Sequence, residues 1–158
     1  MRMNDISDTD AVFVNPPEGS EAERTRVEPG DVLLTITGSR IGRVAPVPAG
    51  MSEAYVSQHV AIIRLSRGIR PRFVSMYMTD PRGGQHEIRR VQYGQTKPGL
   101  NLTQIRKFRI LVPPLAEQDR FIGIWDRWGQ FAKRQGDAGQ ADSDLFSSCV
   151  RRAFRGEL

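Results

Sequence analysis

Cysteine is all but missing from this 158-residue sequence, where Cys149 stands alone. A single thiol excludes an internal disulfide framework and suits a reducing compartment. Long apolar runs are missing as well. No stretch approaches the roughly 20 residues of a membrane-spanning helix, and the opening Met-Arg-Met-Asn-Asp-Ile has no signal-peptide hydrophobic region. From both absences a cytoplasmic protein, off the membrane, is expected. Histidine is scarce, with only His59 and His86. Neither has cysteines or carboxylates at metal-ligand spacing, so no metal and no cofactor is expected. Lysine is scarce too, since twenty of the 23 basic residues are arginine. No internal repeat and no low-complexity tract occurs.

What is present is a globular composition, with 39% hydrophobic and 26% charged residues. The length suits one domain with its own core, or one domain plus an appendage. Charge is unevenly spread. Residues 1–31 hold eight acids against three arginines, a balance of −5. Residues 32–116 hold thirteen bases against Glu53, Asp80 and Glu87, a balance of +10. Residues 117–158 hold seven of each. A basic middle of this kind suits a module that faces nucleic acid, although arginines also decorate solvated faces.

In chain order, Val12, Phe13 and Val14 form an apolar strand or turn, followed by a polar loop up to residue 29. The turn Glu28-Pro29-Gly30-Asp31 launches a strand over residues 32–37, residues 38–42 bend tightly, and residues 44–47 continue extended. Residues 55–65 predict a buried strand, interrupted by hydrophilic Ser57, Gln58 and His59. Pro71 starts a helix with Phe73, Val74, Met76 and Tyr77 on its apolar face, ending at Asp80-Pro81. A second helix over 84–92 exposes Arg89 and Arg90 and leads into a glycine loop, 94–99. Asn101 with Gln104 forms a capping box. Residues 108–112 alternate like a strand, Pro113 and Pro114 stop it, and Pro114 takes the first position of a helix with Glu117 in its first turn. Phe121, Trp125, Trp128 and Ala132 then recur at heptad-like spacing. Gly136 and Gly139 make a turn, and a last helix over 142–155 gathers Phe146, Cys149, Val150, Ala153 and Phe154. The fold class is α/β: a mixed-sheet domain over residues 1–113 and a C-terminal helical arm over 114–158.

Three blocks in this order resemble the specificity subunit of type I restriction–modification systems. They are residues 30–39 (Gly-Asp-Val-Leu-Leu-Thr-Ile-Thr-Gly-Ser) followed by Ile41-Gly42, residues 94–118 ending in Pro-Pro-Leu-Ala-Glu-Gln, and the closing 153–158 (Ala-Phe-Arg-Gly-Glu-Leu). The resemblance spans nearly the whole chain. It implies one target-recognition domain with one helical segment, half of a subunit whose two halves read a bipartite DNA site. It also implies a non-catalytic subunit. Two adenine methyltransferase subunits would bring methylation, and a motor–nuclease subunit would act indirectly. A lone half would pair with itself or with another specificity chain. One departure stands out: the family's half carries an additional helix and strands before the residues matching 3–6. The other lies in the arm, where Gly129, Gly136 and Gly139 weaken a long coiled coil.

Catalytic motifs fail on inspection. Asn15-Pro16-Pro17 is similar to the "N-P-P-aromatic" of amino-group DNA methyltransferases, but Glu18 replaces the aromatic that stacks on a flipped base. A surface turn is the better reading. Residues 38–42 lack the Gly-Lys-Ser/Thr of a phosphate-binding loop. His59 reads as a half-buried strand residue and Cys149 as inert packing. What remains suits reading DNA without altering it. Thr37, Ser39, Arg40 and Arg43 lie on one turn, Gln58 on the next strand, and Arg89, Arg90, Gln95, Thr96 and Lys97 flank the glycine loop. Arginine and glutamine can bridge base edges, and hydroxyls, lysine and backbone N–H groups suit phosphates. The partner-binding candidates are Phe121, Trp125, Trp128, Phe146, Val150 and Phe154. Two function classes remain: a subunit that reads double-stranded DNA, and a DNA-independent module that binds methyltransferase or another specificity chain through its arm.

Overall fold

The computed structural model describes residues 4–6, 15–16, 18–51, 53–92 and 99–135, with side chains through residue 131. The 12–14 cluster, the body of the glycine loop and the last expected helix lie outside the described residues.

Strand β1 (Val32–Thr35) lies between β2 (Val44–Pro46) and β3 (Val60–Ile63), antiparallel to both. Where mixed strand directions were expected, the described sheet is antiparallel throughout. A tight turn folds β2 back beside β1, and the chain between β2 and β3 crosses to the other edge. Alternation along β1 splits the core. Val32 and Leu34, with Val44, face the helices, and Leu33 faces a smaller cluster with Val27 and Val47.

Helix α2 (Pro71–Thr79) lies on the larger face, with Phe73, Val74, Met76 and Met78 buried. Helix α3 (Gly84–Gln92) packs against its end through Ile88. The approach is close, because a Cβ on Gly84 would lie 2.4 Å from the Met78 Cα, against backbone that cannot swing aside. Gly84→Ala must therefore push α3 off α2, and overpacking of this kind costs about 1–3 kcal/mol. A lowered urea midpoint is expected, and an unchanged midpoint would contradict this packing.

Three segments differ from the sequence expectation. Residues 19–25 form a helix, α1 (Gly19–Thr25), not a loop. It buries nothing, so it leaves no apolar periodicity to read. It is supported instead by Glu21 in its first turn, by Arg24 in its last, and by the Thr25 hydroxyl donating to the Glu21 carbonyl. The expected strand 55–65 is two pieces. Tyr55 bridges Arg26, and a turn closed by Val60 N–H to Ser57 C=O at 3.0 Å separates it from β3. Residues 108–112 form no strand and have no ladder partner among the described residues. Their alternation reflects Phe108 and Ile110 packing on the core, while Leu111 and Val112 stay exposed.

The short α4 (Leu102–Ile105) carries the expected capping box, with Asn101 and Gln104 exchanging hydrogen bonds of 2.8 Å each way. Helix α5 (Leu115–Gln135) starts one residue later than expected. The Pro114 carbonyl accepts from the Glu117 and Gln118 N–H groups, which makes Pro114 the cap instead of the first helical residue. Phe121 then enters the domain core, edge-on to Phe73 with ring centroids 5.7 Å apart. The beginning of α5 is thus part of the globular domain.

Candidate nucleic-acid interface

The turn from β1 to β2 is closed by Gly42 N–H to Thr35 C=O and Thr35 N–H to Arg43 C=O, both 2.9 Å. Gly42 has φ +85°, a left-handed conformation that favours glycine, and a Cβ there would also meet Gln85 Oε1 at 3.3 Å. The Gln85 amide donates to the Gly42 and Met78 carbonyls at 2.8 Å each, which ties α3 to the turn. Sequence reasoning missed Gln85, because its role depends on α3 meeting a turn 43 residues earlier. The result is a rigid loop with Ser39 and Arg40 exposed and Thr37 and Arg43 half-buried.

The same end of the sheet gathers other chain segments. Ile36 N–H donates to the His59 carbonyl at 2.8 Å, which brings the 57–59 turn beside residues 36–37, with Gln58 exposed on it. Thr37 bridges Gly99, and Leu100 N–H donates to the Ile36 carbonyl at 2.8 Å. The chain is therefore at this end at Gly99 and Leu100, and Gln95, Thr96 and Lys97 lie outside the described residues. Thr37, Ser39, Arg40, Arg43 and Gln58 are brought together. Arg89 and Arg90 are exposed on neighbouring α3 but make local bonds, Arg89 to the Pro81 carbonyl and Arg90 to Glu87 at 3.0 Å. His59 differs from the sequence expectation. It is exposed, not half-buried, because β3 starts only after it, and its Nδ1 is hydrogen-bonded to the Thr37 hydroxyl.

At the opposite end of the sheet, where Gly30 meets Pro71, arginines are matched with acids. Buried Asp31 takes two hydrogen bonds from Arg64, at 3.0 and 2.9 Å, and Glu28 lies 3.2 Å from the same guanidinium. Arg70 pairs with Asp119 at 2.7 Å, and Arg72 pairs with Asp126. The hydrogen bond from Arg70 holds the Asp119 carboxyl below its ordinary pKa. This pair therefore stabilises the fold above the ordinary carboxylate range, and its contribution is lost as pH falls through the lowered value. Near α3, Asp80 is buried and accepts from the Arg82 N–H, and Glu87 pairs with Arg90.

Of the partner-binding candidates, Phe121 is a correction: at 6% exposure it is committed to the domain's own core. Trp125 packs half-buried beside it, with ring centroids 6.2 Å apart. Trp128 stacks near Phe131, which is 49% exposed. Phe146, Val150 and Phe154 lie outside the described residues. Gln118 is the structural residue the sequence reading passed over. Fully buried, its amide donates to the Gly68 and Pro113 carbonyls and accepts from Arg70 N–H. Its place at the end of the Pro-Pro-Leu-Ala-Glu-Gln block was the available signal.

Asn15 and Pro16 are exposed ahead of α1. Among the described residues no three metal-ligating side chains cluster, and no helix is long and apolar enough to cross a membrane.

Residues 14–132 match the family model of the type I restriction modification DNA specificity domain. That span is well over half of the chain, which therefore belongs to this family. A solved structure, described as the structural basis underlying complex assembly and conformational transition of the type I R-M system, is similar at 19% identity and a TM-score of 0.49. The match covers 84% of this chain and 32% of the other, so this chain spans about a third of that length. No curated protein matches the sequence.

Proposed function

We propose that this chain is a half-type specificity subunit. The sheet end that carries residues 36–43 and 57–59 reads one part of a bipartite duplex site. Partner methyltransferase subunits methylate adenine there, and a motor–nuclease subunit cleaves. The observation that carries this reading is the convergence of residues 36–43, 57–59 and 99–100 at one end of the sheet. That end presents Ser39, Arg40, Arg43 and Gln58 on turns closed by backbone hydrogen bonds. Such turns suit phosphate and base-edge contacts. The chain itself contributes no chemistry. Purified alone, it is expected to bind duplex DNA without methylating or cutting it, and methyl transfer by the lone chain would contradict this reading and restore Asn15-Pro16-Pro17 as an active motif.

The arm, residues 114–158, is proposed to join two such chains, or this chain to a second specificity chain, and to dock the methyltransferase. The exposed ring of Phe131 beside Trp128 favours it, because both lie past the point where α5 enters the domain core. Two identical halves related by a two-fold axis would read a palindromic bipartite site. Light scattering on the full chain should give a dimer, and Trp128→Ala with Phe131→Ala should give a monomer that keeps the wild-type circular dichroism spectrum. A wild-type monomer that also fails to co-purify with methyltransferase would defeat this proposal.

A further inference from the structure

We propose that His59 reads a base edge, its imidazole oriented by Thr37 so that the outer ring nitrogen, Nε2, is offered to the major groove. The inference rests on the DNA-reading function proposed above and names a specificity-determining pair within it. His59 is held at two levels. Its carbonyl accepts from Ile36 N–H at 2.8 Å, which fixes the backbone to the continuation of β1. Its Nδ1 is hydrogen-bonded to the Thr37 hydroxyl at 2.5 Å, which fixes the ring. Thr37 is itself pinned, through its bridge to Gly99. An exposed histidine would ordinarily sample several rotamers and lose that freedom on binding. Here the ring is set beforehand, against Thr37 of the loop that carries Ser39, Arg40 and Arg43.

With Nδ1 engaged, the remaining polar atom of the ring is Nε2, on the side away from Thr37. Among the described residues none hydrogen-bonds it. The Thr37 bond couples the two ring nitrogens, because in the neutral ring the role of the hydroxyl at Nδ1 dictates the state of Nε2. If the hydroxyl donates to Nδ1, Nε2 carries the proton and suits the acceptors of guanine or thymine, or adenine N7. If the hydroxyl accepts, Nε2 is an acceptor and suits the amino group of adenine or cytosine. Selection of guanine or thymine identifies the first arrangement, and selection of cytosine the second.

The test is selection from a pool of randomised duplexes by the full chain, as wild type and as His59→Ala, Thr37→Val and Thr37→Ser. His59→Ala should flatten the preference at one base pair by roughly 10- to 100-fold. Thr37→Val should weaken the same position less, and Thr37→Ser, which keeps the hydroxyl, should restore it. His59 is exposed, so its truncation leaves no core cavity; if Thr37→Val fails to fold, His59→Ala decides. A His59→Ala preference identical to wild type overturns the inference, as does an equal loss of affinity for every sequence, which would place the ring on a phosphate. A wild-type chain that selects no sequence removes the DNA-reading function itself, and the inference with it.

Discussion

A Gln118→Leu variant is expected to unfold about 10 °C below wild type. Leucine fills similar space but leaves the Gly68 and Pro113 carbonyls and the Arg70 N–H without the partners Gln118 provides at 2.8–3.0 Å. A buried polar group stripped of its partner costs about 1–3 kcal/mol, and three neighbouring losses do not add fully. A total near 3–4 kcal/mol converts to about 10 °C at 2–4 °C per kcal/mol for a chain of this size. Asp119→Asn, one residue along on the exposed side, weakens only a solvated ion pair and should shift the melt far less. A Gln118→Leu midpoint within 2 °C of wild type would show that the clamp between α5 and the segment before α2 is not what seats the arm.

The second large effect is expected at the turn between β1 and β2. Replacing Arg40 and Arg43 together by alanine should weaken duplex binding by roughly 10- to 100-fold, by removing two positive charges from the reading end. The salt dependence separates what each arginine does. A phosphate contact releases condensed cations, so losing one lowers the slope of log K against log salt by about 0.9. A lost base contact leaves the slope nearly unchanged and relaxes preference at one position. Charge reversal at Arg127, on α5 and away from the turn, should leave both quantities close to wild type. Binding by the double variant equal to wild type at every salt concentration would move the interface elsewhere on the molecule.

Much of this architecture was legible in the residues because local chemistry decided it. Pro71 and Asp80 bound α2, Asn101 and Gln104 cap α4, and Gly42 marks a turn that tolerates little else. The misreadings share a physical cause. Residues 108–112 alternate because one side packs on the core, and alternation alone does not reveal whether a neighbouring strand is there to pair with. Helix α1 buries nothing and so carries no apolar signature. His59 sits among apolar neighbours in sequence but beyond the end of β3 in space. Phe121, chosen for a partner by its spacing with Trp125 and Trp128, finds Phe73 first, because α5 begins inside the domain. For the candidate interface, residue type suggested Thr37, Arg40 and Gln58. Their convergence depends on contacts between turns about twenty residues apart, such as Ile36 with His59, which no local pattern encodes.

Mapping methylated adenines in cells that carry this chain with its methyltransferase tests the DNA-reading role most directly. The map is made with the wild-type chain, with the chain deleted, and with Arg40→Ala and Arg43→Ala combined. The expected result is a bipartite methylated motif that needs the chain and loses or relaxes its sequence in the double variant. A methylation pattern identical in all three strains would contradict sequence reading by this end of the sheet.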